Sequence, residues 1–109
     1  MADTLKVLGQ VISVPNSLID LYTVPSSSQA TVSSIMICNQ NLVQVTFRIS
    51  VAIGGAVDSR KQYLYYDLPL LNNDTFVATI GLSLGAGDKI RVQSDTDDVS
   101  FNLFGVEVT

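Results

Sequence analysis

The sequence contains no histidine and no tryptophan, a single cysteine, and only 15% charged residues. Each shortage closes off a class of chemistry. Histidine is the commonest general base, proton shuttle and metal ligand, so its absence removes the usual acid–base machinery. Cys38 has no internal disulfide partner and cannot build a thiolate-rich zinc site. As a nucleophile it would lack an imidazole base, so it reads as a small core hydrophobe on a buried strand. Six Lys and Arg stand against ten Asp and Glu, a formal net charge of −4. Nucleic-acid backbones are bound by clustered cations, so no nucleic-acid partner is expected. No apolar run approaches the ~18 residues of a membrane-spanning helix, and no membrane partner is expected. Met1-Ala2-Asp3-Thr4 carries none of the basic and apolar regions of a signal peptide.

What is present is apolar: 47% of 109 residues. High hydrophobicity with low charge is the reverse of a disordered chain, and this length holds one core and one domain, residues 1–109. Val45, Phe47, Ile49, Val51 and Ile53 alternate with Gln44, Thr46, Arg48, Ser50 and Ala52. That period of two predicts a half-buried strand ending at Gly54-Gly55. Further strands are predicted at Leu5 to Ile12, Ser17 to Val24, Thr31 to Cys38 and Tyr63 to Leu68, the last closed by Pro69. Thr75 to Leu84 follows, breakable at Gly81, then Lys89 to Ser94 and Val99 to Val108. The final strand holds a register conflict: Val99, Phe101 and Leu103 share one parity, while Phe104, Val106 and Val108 share the other. Either a bulge near Gly105 resolves it, or the strand is apolar on both faces. About eight short strands between turns predict an all-β, antiparallel, jelly-roll-like β-sandwich.

Most carboxylates fall in turns, where Asp bonds nearby backbone amides. Asp95, Asp97 and Asp98 are the nearest approach to a calcium loop, but without EF-hand spacing or its glycine. Gly54-Gly55-Ala56 and Gly85-Ala86-Gly87-Asp88 read as strand connections, since neither opens a helix or ends in Gly-Lys-Ser/Thr. No cofactor and no metal are expected. Arg60-Lys61 precedes Tyr63, Leu64, Tyr65 and Tyr66. If Leu64, Tyr66 and Leu68 face the core, Tyr63 and Tyr65 face outward with Asp67, beside two cations. Such a patch suits a protein partner. Leu18-Ile19, Leu68 to Leu71 and Phe101 to Phe104 are expected to leave apolar side chains uncovered.

An ordered set of phrases spans most of the chain. They are Leu21-Tyr22-Thr23-Val24-Pro25, Ser34-Ile35-Met36-Ile37-Cys38-Asn39 and Val45-Thr46-Phe47-Arg48-Ile49-Ser50-Val51. Then follow Tyr65-Tyr66-Asp67-Leu68-Pro69-Leu70, Asn73-Asp74-Thr75-Phe76, Leu84-Gly85-Ala86-Gly87-Asp88-Lys89-Ile90-Arg91-Val92 and Phe104-Gly105-Val106-Glu107-Val108. Together they resemble the small all-β virion proteins of tailed bacteriophages. The resemblance implies a non-enzymatic structural subunit, located in the virion and made in the host cytoplasm. It supplies no catalytic residues. It implies a capsid decoration (cement) protein that binds and stabilises the assembled shell, or a tail, baseplate or fibre-associated component. The implied partner is the major capsid protein or another virion protein, and a homotrimer is the favoured oligomer. Expected contact residues are Tyr63, Tyr65, Arg60 and Lys61, with Leu5 and Lys6 in the N-terminal stretch Met1 to Lys6. A carbohydrate-binding attachment module is the other reading, with Tyr63, Tyr65, Asn72, Asn73 and Asp74 as its raw material.

Overall fold

Alternating burial along each strand is what builds the core. In Val45–Ala52, Val45, Phe47 and Ile49 are buried on one side, while Thr46 and Arg48 stand half-exposed on the other. The structure, a computed structural model, describes residues 2–109. Its strands are β1 (Asp3–Ile12), β2 (Ile19–Thr23), β3 (Gln29–Asn39), β4 (Val45–Ala52), β5 (Tyr63–Leu70), β6 (Thr75–Ala78), β7 (Leu82–Leu84), β8 (Lys89–Ser94) and β9 (Val99–Val108). The expected run Thr75 to Leu84 is divided into β6 and β7, both paired with β3.

The first sheet runs β1-β9-β3-β6, with β7 also on β3, and the second runs β2-β8-β4-β5. All pairings are antiparallel. Most connections cross between the sheets, while β4–β5 and β6–β7 stay within one, which gives the two-sheet jelly-roll arrangement expected from the sequence. Their inner faces share one apolar core, including Phe47, Phe101, Ile35, Ile37, Ile49, Ile90 and Leu103.

The register conflict of the last strand is resolved by its neighbours. β9 alternates without interruption, burying Val99, Phe101, Leu103, Gly105 and Glu107. The extra residues sit in the flanking strands: β1 shifts between Val7 and Gly9, and β3 between Val32 and Ser34. Both shifts flank Gly105. A side chain there would collide with the Thr31 carbonyl oxygen and press on Leu8 Cδ1. Phe104, Val106 and Val108 therefore lie on the outer face, half-buried, so the strand is apolar on both faces. The β3 shift also moves Cys38. Val32 and Ile35 both point inward, Ile37 and Asn39 follow, and Cys38 lies half-buried on the outer face opposite Thr75 and Ser100. The expectation that Cys38 is a core residue is corrected by that one extra residue.

Pro69 does not close β5; it pairs with Thr46 inside the strand. β5 is an edge strand with only β4 beside it, so a residue without an N–H is tolerated.

The two outer faces differ. On the second sheet Arg48, Lys89 and Arg91 pair with Asp67 and Asp20 at 2.6–3.2 Å. The connection after β4 folds over part of this face, held by Arg91, which donates to the carbonyls of Ala56 (2.7 Å) and Gly55 (3.2 Å). The first sheet carries Leu5, Val7, Ile12, Met36 and Val77 exposed on its outer face. Most segments expected to be uncovered are not: Ile19 and Leu68 pack on the core, Phe101 and Leu103 are in it, and Leu71 alone of their large apolar residues is exposed.

Candidate functional site: an arginine–tyrosine cluster on an edge strand

Ser59 begins the local order. It caps a single 3-10 turn, Arg60–Gln62, with Gln62 returning a reciprocal bond. Buried Gln62 donates to the Val57 carbonyl at 2.9 Å, which anchors the turn and holds Arg60 and Lys61 at the surface. β5 starts immediately afterwards, and its facing is irregular. Leu68 pairs with Phe47, Tyr65 with Ile49 and Tyr63 with Ser50, so three residues and then two oppose steps of two and one in β4. Asp67 absorbs part of the shift at φ 53°, a conformation Asp tolerates better than bulky residues do.

These shifts overturn the expected facing. Tyr65 points inward, its ring 6.2 Å from Phe47 and 5.5 Å from Phe76. Leu64 and Tyr66, expected in the core, are exposed at 44% and 57%. Leu68 faces the core as expected. Tyr63 stays half-exposed on the outer face and meets Tyr66 edge-on at 5.1 Å. Arg48 then completes the cluster. Its guanidinium lies 4.0 Å from the Tyr66 ring centroid and grips Asp67, with Nε donating at 2.6 Å and Nη2 at 3.2 Å. Arg60, Tyr63 and Tyr66 line a shallow groove beside it. Burial and the neighbouring Asp58 carboxylate hold the Tyr63 phenol above its ordinary range. The Arg48 guanidinium holds Asp67 below its own. The cluster thus offers two rings and a fixed ion pair, with the Arg60 cation at its rim. Such groups can engage a protein partner, since tyrosine and arginine carry much of the energy at protein interfaces.

The other expected contact residues are dispersed. Lys61 lines a separate groove with Val51, Ile53, Ala56 and Gln62. Leu5 and Lys6 belong to β1, at an edge of the first sheet. Lys6 Nζ lies 3.0 Å from Glu107, which also accepts from Tyr22. The residues proposed for sugar are not assembled either. Tyr63 opens β5 and Asn72, Asn73 and Asp74 follow its far end, about 25 Å away at the usual rise per residue. No group of three or more metal-ligating side chains occurs among the described residues, and Asp95 instead accepts the Thr46 amide at 3.0 Å. Asp88 ties its loop, accepting from the amides of Gly54 (2.8 Å) and Gly85 (2.9 Å).

Sequence reasoning missed Tyr66, Arg48 and Asn39. Asn39 is fully buried and donates to the carbonyls of Val43, Leu70 and Leu71, pinning two loops at one end of the sandwich. Its position just after an apolar run, before Gln40-Asn41, was the available signal.

No family model and no curated protein matches the sequence. Solved structures do match in fold. A chain of the infectious bursal disease virus Gx strain structure superposes with a TM-score of 0.57 at 11% identity, over 97% of this chain and 32% of that one. A chain of the infectious bursal disease virus VP2 subviral particle gives 0.55 at 11% identity, over 96% and 32%. A pentameric capsid protein isolated from metagenomic phage sequences aligns over 97% of this chain and 64% of that one at 14% identity, with a TM-score of 0.41. The chain spans about a third of the length of the two infectious bursal disease virus chains. The likeness to the two infectious bursal disease virus chains defines an all-β sandwich fold.

Proposed function

We propose that this chain is a non-enzymatic structural protein of a phage virion, acting as a capsid decoration protein on the assembled shell. The observation that carries the reading is the surface of the jelly roll. An apolar outer face is left uncovered on one sheet, and an arginine–tyrosine cluster stands on the outer face of the other. Exposed apolar area and clustered Tyr and Arg are the marks of partner surfaces. The occurrence of the fold in virus particles and the resemblance to small phage virion proteins point the same way. The partner is the major capsid protein, met by Tyr63, Tyr66, Arg48 and Arg60. A subunit that binds only the finished shell stabilises it by mass action, and repeated contacts on a symmetric lattice add avidity.

Copy number tests this directly. Quantitative peptide counting in purified virions should find this chain near one per capsid subunit, roughly hundreds of copies. About a dozen copies or fewer, the scale of symmetric tail rings, would replace the decoration reading with a tail role. Absence from virions would overturn both.

A further inference from the structure

The four lateral edges of the two sheets are not equally protected. β6 and β7 are short and separated by a break at residues 79–81. β5 carries two register shifts, Asp67 at positive φ and Pro69. β2 has five residues and a shift between Asp20 and Tyr22. Short strands, bulges and proline are the usual devices that stop a sheet edge from recruiting another strand. β1 has 10 residues, and its first half, Asp3–Val7, runs without a shift against β9.

The unpaired groups of that half can be located. Ala2 and Thr109 exchange both backbone hydrogen bonds at 2.9 Å. Antiparallel pairs alternate, so Thr4 and Lys6 also bond β9, while the N–H and C=O of Asp3, Leu5 and Val7 point to the open edge. Residues 2–7 are all exposed, Leu5 at 83%. Lysine often guards such an edge, but Lys6 lies on the inner face with its charge engaged by Glu107 at 3.0 Å.

We infer that the β1 edge is a homodimer interface, in which β1 of a second copy pairs antiparallel with Asp3–Val7 about a two-fold axis at Leu5. A strand edge is self-complementary under a two-fold, and this register satisfies every side-chain constraint on it. Partners on one face must share parity, so Leu5 meets Leu5, Val7 meets Asp3 and Lys6 meets Thr4. No like charges face each other. The three residues with free backbone groups are those placed to exchange them, and the apolar outer face runs continuously through both copies by way of Phe104 and Val106. A two-fold pair takes the place of the three-fold ring that the sequence favoured. This inference does not rest on the decoration reading.

Light scattering of the purified full chain should give twice the 11.7 kDa chain mass. Leu5→Pro removes an edge-facing N–H that makes no bond to β9, so it should leave the thermal melt cooperative and weaken self-association at least about tenfold. Leu5→Lys guards the edge without touching the backbone and decides the matter if the proline variant does not fold. Leu5→Cys in a Cys38→Ser background should form an intermolecular disulfide under mild oxidation, because the paired Cα atoms fall within disulfide reach. A monomeric wild type, an oligomer unaffected by Leu5→Lys, or a dimer that Leu5→Cys cannot crosslink would overturn the inference. Virion copy number is read independently of all three.

Discussion

Tyr22 and Glu107 lie 85 positions apart on opposite sheets, and the phenol donates a 2.6 Å hydrogen bond to the carboxylate. Lys6 approaches the other carboxylate oxygen at 3.0 Å. The three residues tie β2, β9 and β1 together at a corner of the sandwich. Hydrogen bonds to charged groups contribute about 1.5–3 kcal/mol. Tyr22→Phe should therefore lower unfolding free energy by about 2 kcal/mol with the fold intact, as measured by urea denaturation with an unchanged m value. Unaltered stability would mean that water replaces the phenol without loss.

Acid should weaken the fold through the same corner and through the ion pairs of the second sheet. The Tyr22 and Lys6 hydrogen bonds hold Glu107 below the ordinary carboxylate range. Lys89, then Arg91, lower Asp20 despite partial desolvation, and Arg48 lowers Asp67. A carboxylate depressed in the folded state stabilises it fully above the unfolded pKa, and that contribution is lost as pH falls through the folded value. The melting temperature should stay level from neutrality to about pH 5 and drop below about pH 4. Glu107→Gln should lower the neutral plateau and make the acid slope shallower. At the alkaline end, burial and Glu107 raise the Tyr22 phenol, so its contribution is complete below the unfolded value near 10 and is lost at higher pH.

Gly105 and Gly81 should respond oppositely to alanine. At Gly105 the added methyl meets the Thr31 carbonyl oxygen between two bulged strands, and backbone cannot yield cheaply. Gly105→Ala should cost about 3 kcal/mol or more, or prevent accumulation of folded protein. At Gly81 nothing lies within 4 Å. Gly81→Ala should be neutral or stabilising by up to about 1 kcal/mol, because it restricts the unfolded chain. Parallel thermal melts check the contrast.

The bulged register of β5 separates two tyrosines that a simple alternation would treat alike. Tyr65→Ala should destabilise by about 2–4 kcal/mol, since its ring packs on Phe47 and Phe76. The double variant Tyr63→Ala, Tyr66→Ala should melt near the wild-type temperature but fail to co-sediment with capsids. Normal capsid binding by that double variant would remove the cluster as the docking site, whatever the virion copy number.

Legibility in the sequence followed the range of each interaction. β8 and β9 match the sequence reading at both ends, and β4 to within a residue, because alternation and flanking turn residues are local. The Asp88 loop was readable as a connection for the same reason. Tyr65 was assigned to the wrong face because its assignment extends a period of two past a position where an extra residue enters β5, and nothing within the strand itself marks that position. Cys38 was read as a core residue from its apolar neighbours, and its actual facing follows from the extra residue in β3.

The sequence by itself determined that the chain is all-β, that histidine and thiolate-pair chemistry are closed to it, and that its apolar residues exceed what one tidy sheet face needs. Tertiary structure decided where the surplus went. Bulges in β1 and β3 are set by Gly105 on the strand between them, a contact between residues some seventy to a hundred positions apart. With the extra residues taken up by β1 and β3, β9 keeps its alternation and leaves Phe104 and Val106 on the outer face. The cross-sheet pairing of Tyr22 and Lys6 with Glu107, and the stacking of Arg48 on Tyr66, likewise exist only once the strands are in register. Side-chain period is a property of one strand, while facing at a bulge and the state of an edge depend on which strand lies alongside.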